Sequence, residues 1–137
     1  MEAKISGGCA CGAIRYETEA APVVMLNCHS RDCQRAGGSG YAAIMIVPKA
    51  AVRLAGEPRY HRSAGAEGKA VERGFCPNCG SQVFAKLERM PDVLGLQAGS
   101  LDEPARYVPA MDLFTASAQP WDCMHPDTKK LTHGLAA

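Results

Sequence analysis

Aromatic residues are scarce in this 137-residue chain, at 6% of positions with a single tryptophan. Apolar residues still reach 47%, but alanine and other small side chains supply much of that share. The core is therefore expected to be thin, and small folds with thin cores commonly lean on a metal or a cross-link. Charge of either sign is also sparse. The net charge is +1, and the longest basic run is the pair Lys129-Lys130. Nucleic-acid binders show a basic stripe or a recognised module. Neither is present, so no nucleic-acid partner is expected.

Long hydrophobic runs are missing too. The longest, Tyr41 to Val47, falls far short of the ~20 residues a membrane helix needs. The amino-terminal stretch MEAKISGGCACG has no apolar segment of the signal-peptide kind. The expectation is a soluble, cytoplasmic protein without a membrane partner. The length fits one domain over residues 1–137, with an irregular tail from about residue 122.

Helix signals are few. Asp32 is the expected cap of one short turn through Cys33, Gln34, Arg35 and Ala36, stopped by Gly37-Gly38. Short β-like runs dominate instead, over residues 13–19, 23–27, 42–47, 52–55, 59–63, 69–75, 82–86 and 93–97. Gly56-Glu57-Pro58 and Met90-Pro91-Asp92 punctuate them. The pattern is all-β.

What the chain does have is cysteine. Seven is an odd number, so complete pairing within the chain is excluded. In a reducing compartment, closely spaced cysteines are more often metal ligands or reactive thiols than bridges. Two pairs stand far apart: Cys9 and Cys11 in GGCACG, and Cys76 and Cys79 in GFCPNCGSQ. Cys-x-x-Cys lets one tight turn aim two thiolates at one ion. Gly80, and Gly12 in the first pair, allow the backbone to curl behind the sulfur. Zn²⁺ takes four thiolates in a tetrahedron, and amide donors offset the resulting charge. The two pairs are read as one structural zinc site, tying the amino-terminal strand to a hairpin some 65 residues later. A redox Cys-x-x-Cys or two unrelated pairs of buried thiols are the alternatives.

In order along the chain, GGCACGAIRY, NCHSRDCQRAGG, GFCPNCGSQVF and AGSLDEPARYVPAMDLFTASAQPW resemble the glutathione-dependent formaldehyde-activating enzyme family, which includes centromere protein V. The resemblance runs from residue 3 to about 122. It implies a β-tent fold of antiparallel sheets meeting around the zinc of Cys9, Cys11, Cys76 and Cys79. It also implies carbon–sulfur lyase activity of the S-(hydroxymethyl)glutathione synthase type, with a small thiol such as glutathione as partner. In the family the second motif reads Cys-His-Cys-x-x-Cys and holds a second zinc with an open position.

Here Cys28 and Cys33 match the outer ligands, and Ser30 stands in the middle position. A serine hydroxyl is a poor zinc ligand at neutral pH. Cys28 and Cys33 therefore form a weakened second zinc site, with Cys28, Ser30 and Cys33 as the candidate catalytic residues. A non-catalytic zinc-stabilised binding module and a redox-responsive thiol protein using Cys28 and Cys33 are the competing functions.

Around this motif, Cys33 at the start of a helical turn is placed where amide hydrogens favour a thiolate. His29 points away from its neighbours on an extended strand and is expected at the surface or in a hydrogen bond rather than on a metal. Arg35 and Arg73 are candidate cations for a substrate carboxylate. Tyr41 is a candidate pocket residue, though packing at a strand start is the simpler role. Trp121 is expected to anchor the tail by packing, and Cys123 to be an unpaired thiol.

Overall fold

The computed structural model describes residues 4–65 and 68–135; the ends of the expected 1–137 domain lie outside the described residues. The chain is all-β. It begins with β1 (Ile5–Gly8) and β2 (Arg15–Thr18), followed by β3 (Val24–Cys28), a short helix α1 (Arg31–Gly37) and β4 (Ala42–Pro48). Then come β5 (Val52–Ala55), β6 (Arg59–Ala64), β7 (Ala70–Phe75), β8 (Gln82–Leu87) and β9 (Met90–Gln97). β10 (Met111–Leu113) and β11 (Lys129–Lys130) complete it. No helix among the described residues is long and apolar enough to cross a membrane.

The strands make two sheets. The smaller runs β1-β2-β5, and the larger runs β11-β10-β3-β4-β9-β8-β7-β6. Most pairs are antiparallel, as the resemblance implies. β10 departs from that rule by pairing parallel with both β3 and β11. Its route back across the sheet is set by the long segment before it, which no local pattern encodes.

β4 explains how the layers are held. Its run AAIMIV lacks polar alternation because both faces are buried. Met45 and Val47 join the main core with Ile14 and Tyr16 of the small-sheet side and with Val83, Phe84 and Leu96. The Tyr16 and Phe84 rings meet edge-on, 5.5 Å between centroids. Ile44 and Ile46 face the other way and join Leu26 and Leu113 in a second cluster. Each such aliphatic side chain, fully buried, contributes about 1.5–3 kcal/mol.

Three local expectations change. Met90-Pro91-Asp92 lies inside β9 rather than in a turn. β9 pairs with β4 only from Val93 onward, so the missing N–H of Pro91 leaves no rung of that ladder unmade. The tail is partly ordered by β11, and Leu131 and Leu135 pack on the second cluster. Trp121 does not anchor it by burial: it is 68% exposed.

The helix cap also differs. Ser30, not Asp32, is the N-cap, in extended conformation with its Oγ accepting from the Cys33 N–H. A cap residue must precede the helix with its side chain free to turn back onto the third amide. Asp32 already lies inside the first turn. Gly38 closes the other end at φ 75°, its N–H bonded to the Gln34 carbonyl.

Candidate metal centre and thiol pocket

Cys9 follows β1 and Cys76 follows β7, so the two turns that carry them come from different sheets. The four sulfurs of Cys9, Cys11, Cys76 and Cys79 lie within 4.8 Å of one another. Two of the separations are 3.6 Å (Cys9 to Cys11) and 3.8 Å (Cys11 to Cys76). A tetrahedral ion bonded to sulfur at about 2.3 Å sets its ligands about 3.8 Å apart. The cluster is therefore spaced to hold a metal ion, and the chain has no disulfide among its described cysteines.

The donors around it fit charged sulfurs. The Ile14 N–H reaches Cys9 Sγ at 3.2 Å, and the Asn78 side-chain amide reaches Cys11 Sγ at 3.3 Å. The Ser81 hydroxyl lies 3.2 Å from Cys79 Sγ. That hydroxyl and the Ser81 backbone pull the Cys79 thiol down to about 5. Gly12 and Gly80 serve differently from the expectation. Both are left-handed, at φ 83° and 80°, but their N–H groups close the turns onto the Cys9 and Cys76 carbonyls rather than reaching sulfur. Only a residue without a Cβ takes that conformation freely.

The second motif sits on the other face. Cys28 ends β3, packed against the second cluster, and Ser30 turns the chain into α1. Ser30 Oγ lies 3.5 Å from Cys28 Sγ and 3.2 Å from the Cys33 N. The hydroxyl at the position of the middle cysteine is thus engaged in capping. Among the described residues, no third His, Cys, Asp or Glu converges with Cys28 and Cys33 as at the first site. The expected amide field at Cys33 is also spent, since its own N–H goes to Ser30. The cation comes from elsewhere. The Arg73 guanidinium of β7 donates to Cys33 Sγ at 3.8 Å and to Ser63 Oγ at 3.2 Å.

The Cys28 thiol beside it, then Ser30 and Arg73, hold Cys33 down to about 6 against the opposing effect of burial. Cys28 is pushed up by the neighbouring Cys33 and by burial. The pair therefore favours Cys33 over Cys28 as the thiolate.

These thiols open onto a cavity of about 180 Å³. Leu26, Ile44, Val71, Leu87, Leu113 and Leu135 form much of its wall, and Lys69, Arg73 and Arg89 bring cations to it. Arg73 therefore reaches the site, whereas Arg35 and Tyr41 do not line this cavity. Cys123 is exposed and stands apart from both cysteine sites.

His29 is the residue whose role the sequence left open. It is fully buried, not at the surface. Nδ1 lies 2.6 Å from Asp122 Oδ2, and Nε2 lies 2.6 Å from Asp112 Oδ1. The ring thus bridges the two carboxyl groups, one through each nitrogen. Asp112 also accepts from the Thr128 hydroxyl. The Tyr41 ring packs 5.2 Å from His29. The cluster clasps β10 and the tail onto the link between β3 and α1, where His29 lies between Cys28 and Ser30.

An all-β scaffold with four cysteines spaced to hold a metal ion, and a separate thiol-lined cavity, defines the class. The chain belongs to the glutathione-dependent formaldehyde-activating enzyme family, whose model matches residues 4–117. A crystal structure of a Rhodobacter sphaeroides protein has the same fold at TM-score 0.57 and 22% identity. The match covers 71% of this chain and 87% of that one. No curated protein is similar enough to count as a match.

Proposed function

We propose that this family member is a zinc-stapled protein whose pocket binds a small thiol adduct, S-hydroxymethyl glutathione or a related compound, for carbon–sulfur cleavage. Zinc is the ion favoured at Cys9, Cys11, Cys76 and Cys79, because four thiolates at this spacing suit its size and its preference for sulfur. The observation that carries the pocket reading is the placement of Cys28, Ser30 and Cys33 at a cavity that also holds Lys69, Arg73 and Arg89. The cations suit the carboxylates of a glutathione-like ligand.

The contacts of Cys33 with Arg73 and Ser30 support the following roles. Cys33 as thiolate accepts the proton of the adduct's hydroxyl. The carbon–sulfur bond breaks, releasing aldehyde, and Arg73 stabilises the departing thiolate, which takes the proton back from Cys33. Ser30 positions Cys33 through its cap. With two thiols and a serine occupied in capping, a second zinc at Cys28 and Cys33 would be held weakly.

Elemental analysis, with turnover of glutathione and formaldehyde, tests this. The expected result is one zinc per chain in the natural sequence and saturable turnover. Ser30→Cys is expected to raise the stoichiometry toward two. Absence of zinc, or turnover unaffected by Cys33→Ser, would overturn the reading.

A further inference from the structure

The cavity has two features that adduct cleavage leaves unused. The first is a second thiol: Cys28 lines the same cavity as Cys33, five residues away, with Ser30 Oγ 3.5 Å from its sulfur. The second is the character of the wall. The space in front of Cys33 is walled mainly by aliphatic side chains from β3, β4, β7 and β8, and a disulfide of two glutathiones is far bulkier than a single adduct. Its charged lining residues are Lys69, Arg73 and Arg89 against Asp32. Short apolar arms fit the wall and terminal anions fit the cations.

We propose that Cys28 and Cys33 are a dithiol site for thiol–disulfide exchange, acting on a small disulfide whose aliphatic arms end in carboxylates. The inference rests on the pocket reading above but not on the zinc or on adduct cleavage. Cys33 attacks, because Arg73 lies 3.8 Å from its sulfur. A bond forms between Cys33 Sγ and one sulfur of the substrate, the substrate S–S bond breaks, and the first thiolate leaves with the proton of Cys28. Cys28 then attacks Cys33 Sγ, and the second thiolate leaves. The substrate gains two electrons and becomes two thiols, while the protein loses two and holds a Cys28–Cys33 disulfide. A further small thiol restores it by the reverse exchange.

The distinction from the family's metal chemistry lies in Ser30. A third cysteine would compete for any ion and for the mixed disulfide. The serine hydroxyl does neither and holds Cys33 in place by its amide.

The test uses the zinc-loaded full chain with the disulfide of 6-mercaptohexanoic acid, followed by trypsin and mass spectrometry. Trypsin cuts after Arg31, so a Cys28–Cys33 bond joins two peptides. The expected result in the natural protein is that linked pair, lighter by two hydrogens. Cys28→Ser is expected to trap one mercaptohexanoate on Cys33, and Cys33→Ser to lose the reaction. Glutathione disulfide is expected to react slower by on the order of tenfold or more. An adduct on Cys123 or on a knuckle cysteine in place of Cys33 would overturn the proposal. So would a natural protein that keeps the mixed disulfide without closing it. Equal rates with glutathione disulfide would overturn the substrate class. Zinc content and adduct turnover are read separately, so their failure leaves this outcome distinct.

Discussion

The knuckle and the pocket are both cysteine sites, yet they stabilise negative sulfur in different ways. At the knuckle, four sulfurs converge from two turns, so that one ion can neutralise them together. At the pocket, the middle position is Ser30, and two sulfurs remain. Charge there is answered by one guanidinium and by a proton kept on the neighbouring thiol. The hydroxyl at this position serves as a helix cap, accepting from the Cys33 N–H. The knuckle is spaced to hold an ion, and the pocket keeps two thiols that line an open cavity.

The largest effect should separate the two sites by stability. A structural tetrathiolate ion contributes on the order of 10 kcal/mol to folding, comparable with the whole stability of a typical domain. Cys76→Ser is expected to leave the chain unfolded by circular dichroism. Cys33→Ser should change stability by only about 1 kcal/mol. Equal losses in thermal melts would erase the contrast.

The next effect concerns what keeps the pocket closed. His29→Gln removes the imidazole that joins Asp112 to Asp122; Asp112 keeps Lys130 at 3.6 Å and the Thr128 hydroxyl, so the cost falls mainly on Asp122, at about 1–3 kcal/mol. The tail should then be cut faster by trypsin at Lys129-Lys130, while the knuckle still retains its metal. Unchanged cleavage would show that the clasp does not hold the tail.

The smallest effect is a shift in pH. Cys33 titrates at about 6, below the ordinary thiol value of 9.0. Its thiolate, and with it the rate of alkylation, should therefore rise as pH climbs through about 6. The associated stability is fully present above the ordinary thiol value and is lost as pH falls through the folded value. Arg73→Met is expected to move the alkylation midpoint upward and slow the reaction severalfold at neutral pH. A midpoint that does not move would assign the depression to Cys28 and Ser30 alone.

Much of this was legible in local residues. β5 falls on the expected run, and β4 and β8 nearly so, because apolar patterning bounded by Gly or Pro is a short-range signal. The convergence of Cys9, Cys11, Cys76 and Cys79 was legible because spacing within each pair announces a knuckle. β1, with its two glycines, and the short β10 and β11 were not, since their pairing depends on distant partners. Ser30 was expected to matter through what it cannot ligate; its positive role as the cap came from the fold. For His29 a hydrogen bond was expected and is found, but its burial and its partners, 83 and 93 residues away, carried no local signal.

By itself the sequence determined the chemistry available: which thiols come in pairs, where serine replaces sulfur, and which strands are buried on both faces. Tertiary structure alone decided that Arg73 of β7 meets Cys33, that Asp112 and Asp122 close on His29, and that an aliphatic cavity lies in front of the thiols. The physical reason is range. Spacing and patterning act over a few residues, whereas charge pairing and cavity shape arise where the folded chain brings remote segments within a few ångströms.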